Sequence, residues 1–187
     1  MIKAKQIVNG VIGIDPSLRG TGFAFGLKES EYNVIHFSKG SDPALDLCQI
    51  SDQMEKIIVE NNIKYSFKEG YCYNYINAGM TRIMEVGGIL KRLFVIHNVQ
   101  YIDVAALTVK KVLTGIGKGK KEGVQRVVNS LLHTTIEDDN ITDAIGLYLV
   151  GQGYLYALEK NNKEFGIRVP DFNKDIEEYI NDILERN

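Results

Sequence analysis

At 187 residues, with 44% hydrophobic and 25% charged positions, the chain has the size and balance of one folded domain around a single sizeable core. Its net charge of −2 excludes a molecule that is basic throughout, so any contact with nucleic acid has to come from a local patch. Cys48 and Cys72 lack CxxC or histidine spacing, which argues against a zinc site or a disulfide framework. No apolar run approaches the ~18 residues of a membrane span.

In chain order, Met1–Gly10 reads as a short extension or an edge strand. Val11–Asp15, Thr21–Leu27 and Tyr32–Phe37 are three apolar runs with hairpin-length connections, the pattern of a three-stranded meander. Leu47, Ile50, Met54, Ile57 and Ile58 recur at helical spacing between Asp42 and Asn61. A strand over Ile63–Phe67, stopping at Glu69, precedes a helix from Ala78 to His97, and Val99–Ala105 is a further strand. Helices follow over Thr108–Leu113, Lys120–His133 and Ile141–Leu158. Met54, Met80 and Met84 fall on apolar helical positions and are expected in the core. A meander followed by alternating helices and strands predicts an α/β domain with a mixed sheet covered on both faces. From Glu159 to the end, eight acids face five bases, and Ile176, Tyr179, Ile180, Ile183 and Leu184 form one helical stripe. The expected division is a domain over residues 1–160 with a helical extension over 161–187 packed on it.

Carboxylates fall at the element edges. Asp15 ends the first strand and Glu69 the fourth, each followed by a turn. Asp138, Asp139 and Asp143 cluster where the long late helix begins, with Asp139 and Asp143 one turn apart on the same face. Asp139 or Asn140 could also cap that helix, which is compatible with metal binding by another member of the cluster. An acid such as Asp143, sitting directly before Ala144 and Ile145, is harder to explain by capping. Carboxylates brought together repel, and a hard divalent cation relieves that repulsion. Two Mg²⁺ or Mn²⁺ ions ~4 Å apart suit a phosphodiester displacement.

Between Lys110 and Arg126 there are six bases (Lys110, Lys111, Lys118, Lys120, Lys121 and Arg126) against Glu122 alone, interleaved with glycines. A pliant stretch of local charge +5 suits backbone phosphates rather than base edges. Gly-Lys-Gly-Lys-Lys lacks the spacer and the Ser/Thr of a P-loop, so no nucleotide cofactor is expected. After Glu69 come Tyr71, Tyr73 and Tyr75. Aromatic rings there suit stacking on unpaired bases or wedging into a disturbed duplex, while ordinary packing explains them equally well. His36, His97 and His133 are not at ligand spacing.

Four segments together resemble the RuvC family of Holliday-junction resolvases, the phage branch most closely. They are Val-Ile-Gly-Ile-Asp-Pro-Ser-Leu-Arg-Gly-Thr-Gly-Phe (11–23), Lys-Glu-Gly-Tyr (68–71), the basic stretch 108–124, and Asp-Asp-Asn-Ile-Thr-Asp-Ala-Ile-Gly-Leu (138–147). The resemblance implies an RNase H-like fold and cleavage of four-way and other branched DNA by two-metal hydrolysis. It also implies a homodimer making two matched nicks that leave 5′-phosphate and 3′-hydroxyl ends. It places Asp15, Glu69 and Asp143 as metal ligands. The remaining ligand falls on Asp139, with Asn140 second, because bacterial members carry an aspartate where this chain has Asn140. It assigns Lys110 and Lys121 to catalysis or phosphate binding, with Lys111, Lys118, Lys120, Arg126, Tyr71 and Tyr73 on the DNA. Apolar positions around Met80–Phe94, with Gly87 and Gly88, are the expected dimer face. The expected compartment is the cytoplasm, the host cell's if the gene is phage-borne.

Two other classes compete. An actin-like or sugar-kinase-type ATP-binding module shares the Gly-Ile-Asp-Pro-Ser opening but needs a second domain and a second phosphate loop, for which there is no room. A branched-DNA binding protein of the same fold would not cleave, and a relative acting on RNA would differ only in substrate.

Overall fold

The computed structural model describes residues 7–17, 20–36, 42–71, 78–116 and 122–186. The elements are β1 (Val11–Pro16), β2 (Gly20–Ala24), β3 (Tyr32–His36), α1 (Pro43–Glu60), β4 (Tyr65–Glu69), α2 (Ala78–Ile96), β5 (Gln100–Val104), α3 (Ala106–Thr114), α4 (Glu122–Leu132), α5 (Asp139–Lys160) and α6 (Asn173–Arg186). Short 3-10 turns precede β3 and α6. The sheet runs β3-β2-β1-β4-β5, antiparallel through the first three strands and parallel from β1 through β4 to β5. This is the mixed, helix-covered sheet that the strand order predicts.

Two-residue alternation along β1 divides the interior. Val11 joins the core that includes α3, α4, α5 and α6, while Ile12 and Ile14 join the core on the other face, made with α1 and α2. Gly13 lies against α5, where a β-carbon would overlap the main chain of Ala144 and Tyr148. The next residue on that face is Asp15. Phe67 of β4 packs its ring edge-on against Tyr154 of α5, at 5.5 Å between centroids, so Glu69, two residues on, points the same way. Helix α5 is buried around most of its circumference because the sheet, α4 and α6 all pack on it.

Ile7–Gly10 is the extension rather than the edge strand, with the N–H and C=O of Val8 both bound by the buried amide of Gln152, at 2.8 Å each. The structure differs from the sequence reading at two places. Met84 is 45% exposed, because the core side of α2 is Val86, Leu90, Leu93 and Phe94. Asp138, rather than Asp139 or Asn140, caps α5, its Oδ1 accepting from the Asn140 main-chain N–H at 2.9 Å. The stripe Ile176, Tyr179 and Ile180 of α6 is buried in the same core as α5. Among the described residues, no helix is long and apolar enough to cross a membrane.

Candidate active site

Asp15 is held where β1 meets the start of α5. Across the sheet it is the register partner of Gly22, and a β-carbon on Gly22 would overlap the Asn140 carbonyl. The missing side chain lets the first turn of α5 settle against β2, beside Asp15. One cleft of about 660 Å³ is lined by Asp15, Glu69, Asp139, Asn140 and Asp143, with Lys110 of α3 also on its wall. Ile83, Val109, Val124 and Leu147 supply apolar wall. The acids predicted from the strand ends and from the helix start therefore share one space, although they come from three separate elements.

The electrostatics follow from that placement. Asp15 is only 8% exposed. Burial first, then the charges of Glu69 and Asp143, a hydrogen bond with Glu69 and the charge of Asp139 raise its carboxyl to about 9. Among the described residues, no three Asp, Glu, His or Cys side chains converge closely enough to enclose an ion as they stand. What the cleft presents is a set of hard oxygen donors from β1, β4 and α5. That chemistry suits Mg²⁺ or Mn²⁺ and not a soft metal. The first turn of α5 adds its positive helix end beneath Asp139.

The second-choice ligand Asn140 also lines the cleft, but its Nδ2 donates to Asp138 Oδ1 at 2.9 Å, which ties the side chain to the cap. Of the predicted DNA contacts, Lys110 is on the cleft and Lys111 is exposed on α3. Arg126 is not among the cleft-lining residues. It borders a second groove with Leu113, Ile116 and Leu184, and its Nε donates to the Glu122 carbonyl at 3.3 Å. Tyr71 is used in packing: its hydroxyl lies over Gly87 and reaches the Met84 carbonyl at 3.5 Å. Gly87 thus receives Tyr71, whereas a β-carbon on Gly88 would meet open space. Lys118, Lys120, Lys121 and Tyr73 lie outside the described residues.

Several supporting residues escaped the sequence reading. Gln125 of α4 donates to the carbonyls of Ile136 and Glu137, at 3.0 Å each. Asn129 exchanges two bonds with Ile136, at 2.9 and 3.0 Å. Together they pin the approach to α5; their four-residue spacing was the only available signal. Lys68, fully buried on β4, donates to the Glu69 carbonyl at 2.7 Å and pairs with Asp103 at 3.2 Å.

Comparison with known proteins adds three findings. The family model described as Crossover junction endodeoxyribonuclease RuvC matches residues 11–150. The RuvC of Orientia tsutsugamushi (strain Boryong) is 28% identical over 129 residues, covering 66% of this chain and 81% of the relative. That of Brucella anthropi is 27% identical over 149 residues, covering 73% and 84%. Among solved structures, Thermus thermophilus RuvC superposes with a TM-score of 0.65 at 18% identity, over 80% of this chain and 96% of that one. The same protein in complex with Holliday junction substrate gives 0.67 at 19% identity, over 80% and 95%. The fold is therefore the RNase H-like one of RuvC.

Proposed function

This chain belongs to the RuvC family of crossover junction endodeoxyribonucleases, and we propose that it is a divalent-metal-dependent endonuclease that resolves four-way DNA junctions. The observation that carries the reading is the single cleft in which Asp15, Glu69, Asp139 and Asp143 meet beside Lys110. The four acids are the residues that would hold Mg²⁺ or Mn²⁺, with Asn140 as an uncharged alternative to Asp139. When bound, a pair of such ions supplies charge neutralisation for the attacking and leaving oxygens of the phosphodiester. Lys110 brings a positive charge to the side of the cleft that would receive the phosphate, next to the apolar wall of Ile83, Val109, Val124 and Leu147. Lys121, with the rest of the basic stretch, is assigned to the same phosphate by the family resemblance. In this reading the bases between Lys110 and Arg126 contact the DNA backbone and Tyr73 is the candidate wedge, whereas Tyr71 is held in packing against Gly87. The Thermus thermophilus relative solved with a Holliday junction supports branched DNA as the partner.

A symmetric junction needs two matched cuts, which two copies related by a two-fold axis provide. We assign that contact to the outward side of α2, where Met84, Val95 and Ile96 are exposed and Gly88 leaves room for close approach. Residues 1–160 form the nuclease domain in this reading, with 161–187 packed on it, and the protein works in the cytoplasm where its DNA lies.

The test is a panel of labelled four-way junctions, flaps, Y-forks, linear duplexes and RNA–DNA hybrids, each incubated with Mg²⁺ or Mn²⁺. Paired nicks near the crossover of the four-way junction are the expected result. Tight junction binding without nicks under either ion would favour the non-cleaving alternative, and preferential cutting of the hybrid would favour the RNA-directed one.

A further inference from the structure

Lys68 is a lysine with no exposed surface, a rare state for that residue. Strand alternation sends it to the face opposite Glu69, among the side chains under α2. Its Nζ donates to the Glu69 carbonyl at 2.7 Å, lies 3.2 Å from Asp103 Oδ1 and sits 4.6 Å from the centre of the Tyr71 ring. Lys68 and Asp103 are register partners on β4 and β5. Asp103 already has a second partner, Lys91 of α2, at 2.9 Å. The carboxylate therefore does not depend on Lys68 for compensation. An apolar residue at a buried charged position commonly matches or exceeds the ion pair in stability. Folding alone thus gives no reason for an ammonium here, whereas the bond to Glu69 does.

We propose that Lys68 is a positioning residue: anchored on Asp103 and covered by Tyr71, it holds the end of β4 from behind the sheet and sets the direction in which the Glu69 carboxylate enters the cleft. The inference rests on the nuclease reading, since Glu69 is a ligand only within it. Support behind a ligand typically changes metal affinity or activity by roughly 10- to 100-fold.

The test compares the full-length protein with Lys68→Met, which keeps an unbranched chain one atom shorter and removes the charge and the bond. Three readouts are taken: thermal unfolding, Mn²⁺ binding to DNA-free protein by electron paramagnetic resonance, and cleavage rates over a range of junction concentrations up to saturation. The expected result is an unfolding midpoint within a few degrees of wild type and an unchanged KM for the junction. Mn²⁺ binding and kcat are each expected to weaken by roughly 10- to 100-fold. Wild-type Mn²⁺ affinity in a folded Lys68→Met protein overturns the proposal. Should that variant fail to fold, Lys68→Gln is read in the same way; failure of both to fold makes the lysine purely structural and also overturns it. A wild-type protein that nicks no junction defeats the nuclease reading, yet the Mn²⁺ comparison still decides the role of Lys68.

Discussion

The Asp15 carboxyl is buried between strand and helix, and three further acids surround it, so without a cation it keeps its proton up to about pH 9. In the unfolded chain the same group ionises near 3.8. Between those values the folded state binds the extra proton, so metal-free stability is greatest below the lower value and declines as pH rises through the window. Melting in EDTA should therefore fall from pH 5 to pH 8 in wild type. The slope should flatten in Asp15→Asn, and Mg²⁺ should restore stability at the upper pH. Equal slopes in wild type and variant would contradict the crowding of acids. At the chemical step, Asp15→Asn or Glu69→Gln should lower cleavage by at least about 100-fold, a loss of ~2.7 kcal/mol in transition-state stabilisation. Gel-shift binding of the junction should persist, since the basic stretch is untouched. Asp139 adds to the charge felt by Asp15, while the Asn140 amide is tied to Asp138. Accordingly, Asp139→Asn should lose cleavage to a similar extent and Asn140→Ala should lose much less, as read by single-turnover rates.

Helix α5 is the element on which the site depends, and its close approach is set by two missing side chains. Gly13 admits the middle of its first turns and Gly22 admits its start. Gly22→Ala should push the Asn140 end away from Asp15 and destabilise the fold by about 1–3 kcal/mol, visible as a lower unfolding midpoint and a lower kcat together. Asp138→Ala should cost about 1 kcal/mol through loss of the cap. Much of this level was legible in the chain. The acids at 15 and 69 stand at strand ends, where alternation fixes the face each enters, and those at 139 and 143 lie one helical turn apart at the start of α5. The choice of cap was not legible, because Asp-Asp-Asn offers three capable side chains and only the docked backbone selects one. Nor was the role of Tyr71, which depends on Gly87 arriving from α2, or that of Lys68, whose partner Asp103 comes from a different strand. Local pattern reports which faces are apolar; the partners of a polar side chain are set by pairing between distant segments.

At the scale of the whole molecule, a net charge of −2 coexists with the +5 stretch between Lys110 and Arg126, so charge is segregated rather than scarce. Junction affinity should therefore fall by roughly 100-fold or more between about 50 and 200 mM salt, as counterions released from the phosphates are opposed. A salt-insensitive binding isotherm would remove the basic stretch from the interface. The arrangement of α5 has a further consequence for the cell that makes the protein. During synthesis, Asp15 and Glu69 leave the ribosome well before the helix that supplies Asp139 and Asp143, and that helix is also what seals the face of β1 on which Asp15 lies. On the proposed reading, a nascent chain thus holds two of the four metal-binding acids without the other two. Completion of the fold and acquisition of nuclease activity then become one event.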